Sequence, residues 1–265
     1  MEAEVYQIDG KSARKVALPA VFSTPYREDL VRRALLHEQS TRYQPQGHYL
    51  LAGLNTTAIY VGRMNTWRSG RHMGQAIRPK QKLGGGSKGD VRRIPSAVKG
   101  RRAHPHKIEK SLVEEINVKE YRSALGSAIA GTANSELIKA RHTFDGHAPL
   151  VIEDKIESIT KSQELVKVLE ALRLGADLER SHDPKVRKGL RRLSQRRHFR
   201  NSVLIIAANV DKVGRAARNI PGVQAVSVNQ LRVAELAPGA KPRLAIWTEG
   251  ALKALDKAVA VAKAM

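Results

Sequence analysis

The sequence predicts an α/β protein: a three-layer α/β/α body with a mainly parallel sheet of about four strands, plus a long irregular basic extension. Three observations predict it. From about residue 108 onward, short apolar runs alternate with amphipathic helical periods, and such alternation implies parallel strands joined by helical crossovers. Between about residues 43 and 108 no helical or strand period survives among glycines, prolines and arginines. Finally, 42% apolar content in 265 residues is enough for a sizeable core.

The elements follow in chain order. Glu4 to Ile8 reads as a short strand, and Ala13 to Leu18 as a second extended piece ending at Pro19. Thr24 before Pro25 resembles an N-cap with proline at the first helical position. Glu28 and Asp29 in the first turn, with Leu30, Ala34 and Leu35 on one face, continue that helix to about Thr41. Asn117 with Glu120 resembles a capping box opening a helix through Leu125, Ile129 and Ala133, and a short helix follows from Asn134. Pro149 to Ile152 is a strand, and a helix from Ser162 carries Leu165, Leu169 and Leu172, with Gly175 as its stop. Val203 to Ala207 is a buried strand, Asp211 to Asn219 a helix, Val223 to Val228 and Leu244 to Trp247 strands, and Thr248 onward a terminal helix. The division expected is one globular domain over 1–265, interrupted by a Gly/Arg-rich arm at about 43–108, with a second basic segment at 185–200.

The formal charge is +22. Arg63 to Lys107 holds 13 Lys and Arg against one acid, Asp90, leaving +12; Lys185 to Arg200 holds 8 against none. These two stretches account for +20, so the remaining chain is nearly balanced. A polyanionic partner is implied, and it meets two specialised segments rather than the whole surface. The chain has no Cys, which removes disulfides and thiolate metal sites and fits a reducing cytoplasm. Met1 to Gly10 is acidic and short of apolar residues, and no uncharged apolar run nears the roughly 18 residues a membrane span needs. No membrane partner is expected.

Motifs for catalysis fail on their context. Gly84, Gly86 and Gly89 satisfy G-x-G-x-x-G, but neither a preceding strand nor a sustained following helix is legible. Gly10-Lys11-Ser12 resembles the end of a phosphate loop, yet Val5 stands where its first glycine belongs. His104-Pro105-His106 lacks acidic or thiolate companions and lies among Arg101, Arg102 and Lys107, whose charge opposes a metal. Glu114-Glu115 and Glu153-Asp154 are adjacent pairs that point apart on a helix and are usually solvated. No catalytic residue, cofactor or metal is therefore expected.

The basic segments suit RNA. Arginine forks grip phosphate bidentately, and glycine lets backbone approach a nucleic acid where a Cβ would clash. In the arm the expected RNA contacts are Arg63, Arg68, Arg71, Arg78, Lys80, Lys82, Lys88, Arg92, Arg93, Lys99, Arg101, Arg102, His104 and Lys107. In the second segment they are Arg191, Arg192, Arg196, Arg197 and Arg200; a solvated helix face is the plainer alternative there. With 4% aromatic residues, shape and backbone recognition is favoured over an aromatic stacking surface; Trp67 either stacks on a splayed base or covers its own loop. An RNA-modifying enzyme with a basic docking arm, or a DNA-compacting protein, would share this charge pattern.

Three motifs narrow the choice: Gly100-Arg101-Arg102-Ala103-His104-Pro105-His106-Lys107; Arg122-Ser123-Ala124-Leu125 with Ala128-Ile129-Ala130-Gly131-Thr132-Ala133; and Arg215-Ala216-Ala217-Arg218-Asn219-Ile220-Pro221-Gly222-Val223. In this order, with the arm before them, they resemble the universal large-subunit ribosomal protein four family in its archaeal and eukaryotic form. The resemblance implies a structural constituent of the large ribosomal subunit, bound to 23S-type rRNA and to neighbouring large-subunit proteins in the cytoplasm. It further implies an arm that threads rRNA to the polypeptide exit tunnel and meets the nascent chain near its tip. By position, the tip falls within about Arg63 to Arg93, and Gly100 to Lys107 is the returning limb.

Overall fold

A computed structural model describes residues 1–60, 62–65, 71–72, 74, 76–186 and 197–255. The chain divides into two compact units, one of residues 1–42 and 114–265, the other Tyr43–Val113.

The first unit is built on a six-stranded sheet, two strands more than expected. Its strands, in chain order, are β1 (Glu2–Tyr6), β2 (Ser12–Ala17), β6 (Leu150–Ile152), β9 (Leu204–Ala207), β10 (Gln224–Ser227) and β11 (Ala245–Thr248). They lie in the order β10-β9-β11-β6-β1-β2. All neighbours pair in parallel except β1 with β2, an antiparallel hairpin at the edge. The two N-terminal segments, read separately as short extended pieces, thus extend the sheet. Strands β6, β9 and β11 are buried at every position because both faces are covered. Leu204, Ile206, Val151, Ala245 and Trp247 enter one buried cluster, while Ile205, Leu150, Ile152 and Ile246 enter another. That alternation is the period of two in a pleated strand.

Helices supply the rest of each cluster. To the first, α1 (Glu28–Ser40) gives Val31, Ala34 and Leu35, and α2 (Val118–Gly131) gives Ala124, Ala128 and Ile129. To the second, α3 (Ser135–Lys139) gives Ile138, α4 (Ser162–Ala171) gives Leu165, Val168 and Leu169, and α6 (Asp211–Arg218) gives Val213, Ala216 and Ala217. Residues 249–255 are helical and bring Ala251, Leu252 and Leu255 to the first.

Several helix ends differ from expectation. Thr24 does not cap α1, which begins at Glu28; its hydroxyl donates to the carbonyls of Val21 and Gly126 instead. Asn117 precedes α2 without a side-chain cap, whereas Asn134 accepts from the amides of Glu136 and Leu137 at α3. Gly175 does not stop α4 but opens α5 (Gly175–His182). The stop is Arg173, left-handed at φ 62°, with its N–H on Glu170 O and the Leu174 N–H on Leu169 O, the paired bonds of a Schellman end. The second basic segment is not helical where it is described: β7 (Lys185–Val186) pairs antiparallel with β8 (Arg197–His198).

Candidate nucleic-acid interface

The unit Tyr43–Val113 is less irregular than its sequence suggests. β3 (Ala58–Ile59) pairs antiparallel with β4 (Lys80–Lys82), and β4 with β5 (Lys88–Val91). The glycines of the G-x-G-x-x-G pattern fall between and within the last two strands. Gly84–Gly86 form a short 3-10 turn with Gly85 at φ +70°, and Leu83 N–H closes it on Ser87 O at 3.2 Å. A strand does precede the motif, correcting the sequence reading, but a strand also follows. Without a helix N-terminus at that point the pyrophosphate cradle is not built.

The two limbs at the base of this unit run side by side. His48 N–H donates to His106 O at 3.3 Å. Gly53, at φ +76°, lies so near the returning limb that a Cβ there would sit 2.4 Å from Gly100 O. A Cβ on Gly100 would sit 1.9 Å from Ile94 O. Both positions are closed to any side chain.

The predicted cations divide into two groups. Four arginines hold the unit's own chain. Arg92 donates to Val98 O at 2.7 Å and to Asp90 at 3.0 Å, Arg71 to Gly62 O at 2.7 Å, Arg78 to Ser96 Oγ at 2.9 Å, and Arg93 to Ala58 O at 3.4 Å. Arg93 and Lys99 occupy left-handed backbone, at φ 70° and 59°, an uncommon state for side chains of this size. By contrast, the side chains of Arg63, Lys82, Lys88, Lys99, Arg101, Arg102, His104 and Lys107 are exposed and bond no described residue. Lys80 lies in β4, half-buried. Arg68 and Trp67 lie outside the described residues, as do Arg191, Arg192 and Arg196. Arg197 is in β8, and Arg200 is half-buried just beyond it.

Ligands of open α/β sheets bind beyond the carboxyl ends of the strands, where loop amides and helix N-termini meet anions. Here those amides are occupied from within. Glu157 accepts from Ala208 N–H at 2.9 Å, Asn209 N–H at 3.2 Å and Thr248 Oγ at 3.0 Å, and Asp154 accepts from Gly250 N–H at 2.7 Å. Asp154 is therefore not merely a solvated member of the Glu153-Asp154 pair. An anionic cofactor would have to displace two carboxylates and then face them. No cluster of three or more metal-ligating side chains occurs among the described residues, and no described helix is long and apolar enough to cross a membrane.

Sequence reasoning also missed a buried charge cluster in the first unit. Arg243 is 1% exposed and donates to Ser202 O, Val203 O, Gly222 O and Gln224. Burial, reinforced by the nearby Arg141 charge, pushes its pKa down to about 9, so it stays cationic at neutral pH. Read as Lys241-Pro242-Arg243, it has the look of a surface turn. Its four acceptors come from distant sequence, which no local pattern reports.

A body whose anion-accepting loops are self-occupied, in one chain with a unit that carries many exposed cations, defines a protein of the polyanion-binding class. The description of the ribosomal protein L4/L1 family matches residues 16–258, and the chain belongs to that family. It is 44% identical to the large ribosomal subunit protein uL4 of Methanoculleus marisnigri over 97% of this chain and 99% of the relative. The proteins of the same designation from Methanoregula boonei and Archaeoglobus fulgidus are 41% and 40% identical, over 97% of this chain and 99% of each relative.

Proposed function

We propose that the chain is a structural, non-enzymatic constituent of the large ribosomal subunit in the cytoplasm, binding 23S-type rRNA and neighbouring subunit proteins. The body is a single three-layer α/β/α domain, supported by the alternation of strand side chains between two helix-covered clusters. Residues 43–108 form the rRNA-binding arm, with its tip within 63–93 reaching the polypeptide exit tunnel and the nascent chain, and 100–107 returning through rRNA. Residues 185–200 give a second footing.

The observation that carries this reading is the set of exposed cations on Tyr43–Val113 whose side chains pair with no described residue, beside four arginines that also hold that unit's shape. A self-supporting scaffold with free cations is suited to phosphate. The enzyme alternative needs the carboxyl ends of the strands, which Asp154 and Glu157 occupy.

Deleting residues 63–107 tests the reading. The body is expected to keep its circular dichroism and unfolding transition, while the variant disappears from the large-subunit peak of a sucrose gradient. Normal incorporation without those residues would refute it.

A further inference from the structure

The low aromatic content argues against a stacking surface but leaves room for a single stacking site. Tyr60 is 59% exposed and follows the edge strand β3 directly. Its hydroxyl makes no hydrogen bond to a described residue. An exposed tyrosine alone needs no explanation. Its surroundings do.

Two guanidinium groups are fixed on either side of it in the chain. Arg93 donates to the carbonyl of Ala58, two residues before Tyr60, and Arg71 Nε donates at 2.7 Å to that of Gly62, two residues after. Among the described residues, each of these arginines uses one donor, on a backbone carbonyl. Gly62 is buried, and a Cβ there would meet Ile77 at 2.1 Å, so Ile77 packs directly on the backbone beside the tyrosine. The tyrosine thus adjoins a packed segment, with guanidinium groups anchored on the backbone two residues to either side of it in the chain. Tyr43 and Tyr49 are as exposed, at 60% and 63%, yet among the described residues no guanidinium donates to a carbonyl within two residues of either.

We infer that Tyr60 is a stacking site for one unpaired nucleobase of folded RNA, with Arg71 and Arg93 taking the phosphates that flank that nucleotide. Aromatic faces receive splayed bases in sequence- and shape-specific RNA recognition, and an adjacent guanidinium serves the phosphate. The fixed cations favour RNA over an apolar protein segment. This inference rests on the proposed rRNA reading and names the chemistry of one point within it.

The test uses full-length variants and deproteinised 23S-type rRNA, titrated at several salt concentrations. Tyr60→Ala is expected to weaken binding about 5- to 150-fold, the range for losing one aromatic–base stack. Its log–log salt slope stays at the wild-type value because no phosphate contact is lost. Tyr60→Phe and Tyr60→Trp stay within about twofold, whereas Tyr60→Leu, which keeps apolar bulk without a π face, falls with Ala. Arg71→Ala and Arg93→Ala each lower the slope by about 0.7 to 0.9. Rescue by Leu, a loss in Phe equal to that in Ala, or Tyr60→Ala within twofold of wild type would overturn the site. So would Tyr43→Ala or Tyr49→Ala costing as much as Tyr60→Ala. If wild type shows neither salt-dependent binding nor preference for folded rRNA over duplex DNA, the rRNA reading fails and the site with it. A normal wild-type slope with a silent Tyr60 sinks the site alone.

Discussion

Ser202 Oγ donates to the fully buried carboxylate of Asp177 at 2.6 Å, tying the segment that leads into β9 to α5. The same carboxylate receives Arg180 Nε at 2.8 Å, Thr143 N–H at 3.2 Å and His142 Nδ1 at 3.1 Å. Burial alone would raise the Asp177 pKa, but the hydrogen bonds from His142, Arg180 and Ser202 outweigh it and hold the carboxyl well below its ordinary range. For His142 burial dominates over Asp177 and keeps the imidazole neutral, its pKa lowered from 6.5.

Both shifts make acid destabilising. A carboxyl with a depressed folded pKa stabilises above its unfolded value, near 3.9, and that contribution is lost as pH falls through the folded pKa. A histidine buried neutral costs stability as pH falls below about 6.5. Denaturant unfolding of the wild type should therefore weaken below about pH 6.5 and more steeply below about pH 4. Asp177→Asn should cost about 3 to 5 kcal/mol at pH 7, by stranding buried partners of the charge, and should flatten the lower limb. An unchanged pH profile in that variant would refute the assignment.

Glu38 closes a second long-range contact. Its carboxylate accepts from Val233 N–H at 2.9 Å and Ala234 N–H at 2.8 Å, and from Tyr121 Oη at 2.5 Å. It thereby caps the short helix α7 (Val233–Leu236) from another helix. Burial, then the Glu38 hydrogen bond, push the Tyr121 pKa up. Tyr121→Phe should lose about 1.5 to 3 kcal/mol, the value of a hydrogen bond to a charged group, and Glu38→Ala more, because it strands two amides as well. Thermal unfolding of the two variants checks the order.

How much of this was legible follows from where each interaction lies. The helices α1, α2, α4 and α6 and the strands β6, β9 and β11 announce themselves because a buried face repeats locally in the sequence. The stop of α4 was misread since a left-handed position is usually glycine, and here Arg173 holds it. The sheet in Tyr43–Val113 was invisible because β3, β4 and β5 are two to four residues long, too short to show a period. Net charge located the cation-rich unit, but which arginines hold it and which remain free depends on carbonyls such as Val98 O and Gly62 O. Composition does not encode those partners.

Gly53 and Gly100 meet where the limbs of the cation-rich unit touch, and they predict a lesion confined to it. Gly53→Ala forces a Cβ against Gly100 O from a left-handed backbone, and Gly100→Ala forces one against Ile94 O. Either should loosen Tyr43–Val113 and weaken rRNA binding, while Asp177 and Glu38 keep the other unit's transition in place. Hydrogen exchange resolved by segment checks this: faster exchange across 47–53 and 94–108 is expected, with the β9 and β11 amides unchanged.

Arg92 and Arg101 should fail in different ways, although charge counting treats them alike. Arg92 spans Val98 O and Asp90 with a side chain 13% exposed, so its two bonds shape the unit. Arg101 is exposed and bonds no described residue. Arg101→Ala removes one phosphate contact and should lower the log–log salt slope of rRNA binding by about 0.7 to 0.9, with little effect on exchange rates. Arg92→Lys keeps the charge but cannot reproduce the planar fork, so exchange should rise across 90–98 while the slope changes little. If Arg92→Lys behaves as wild type in both measurements, its bonds within the unit are incidental, and the division between scaffold and contact arginines does not hold.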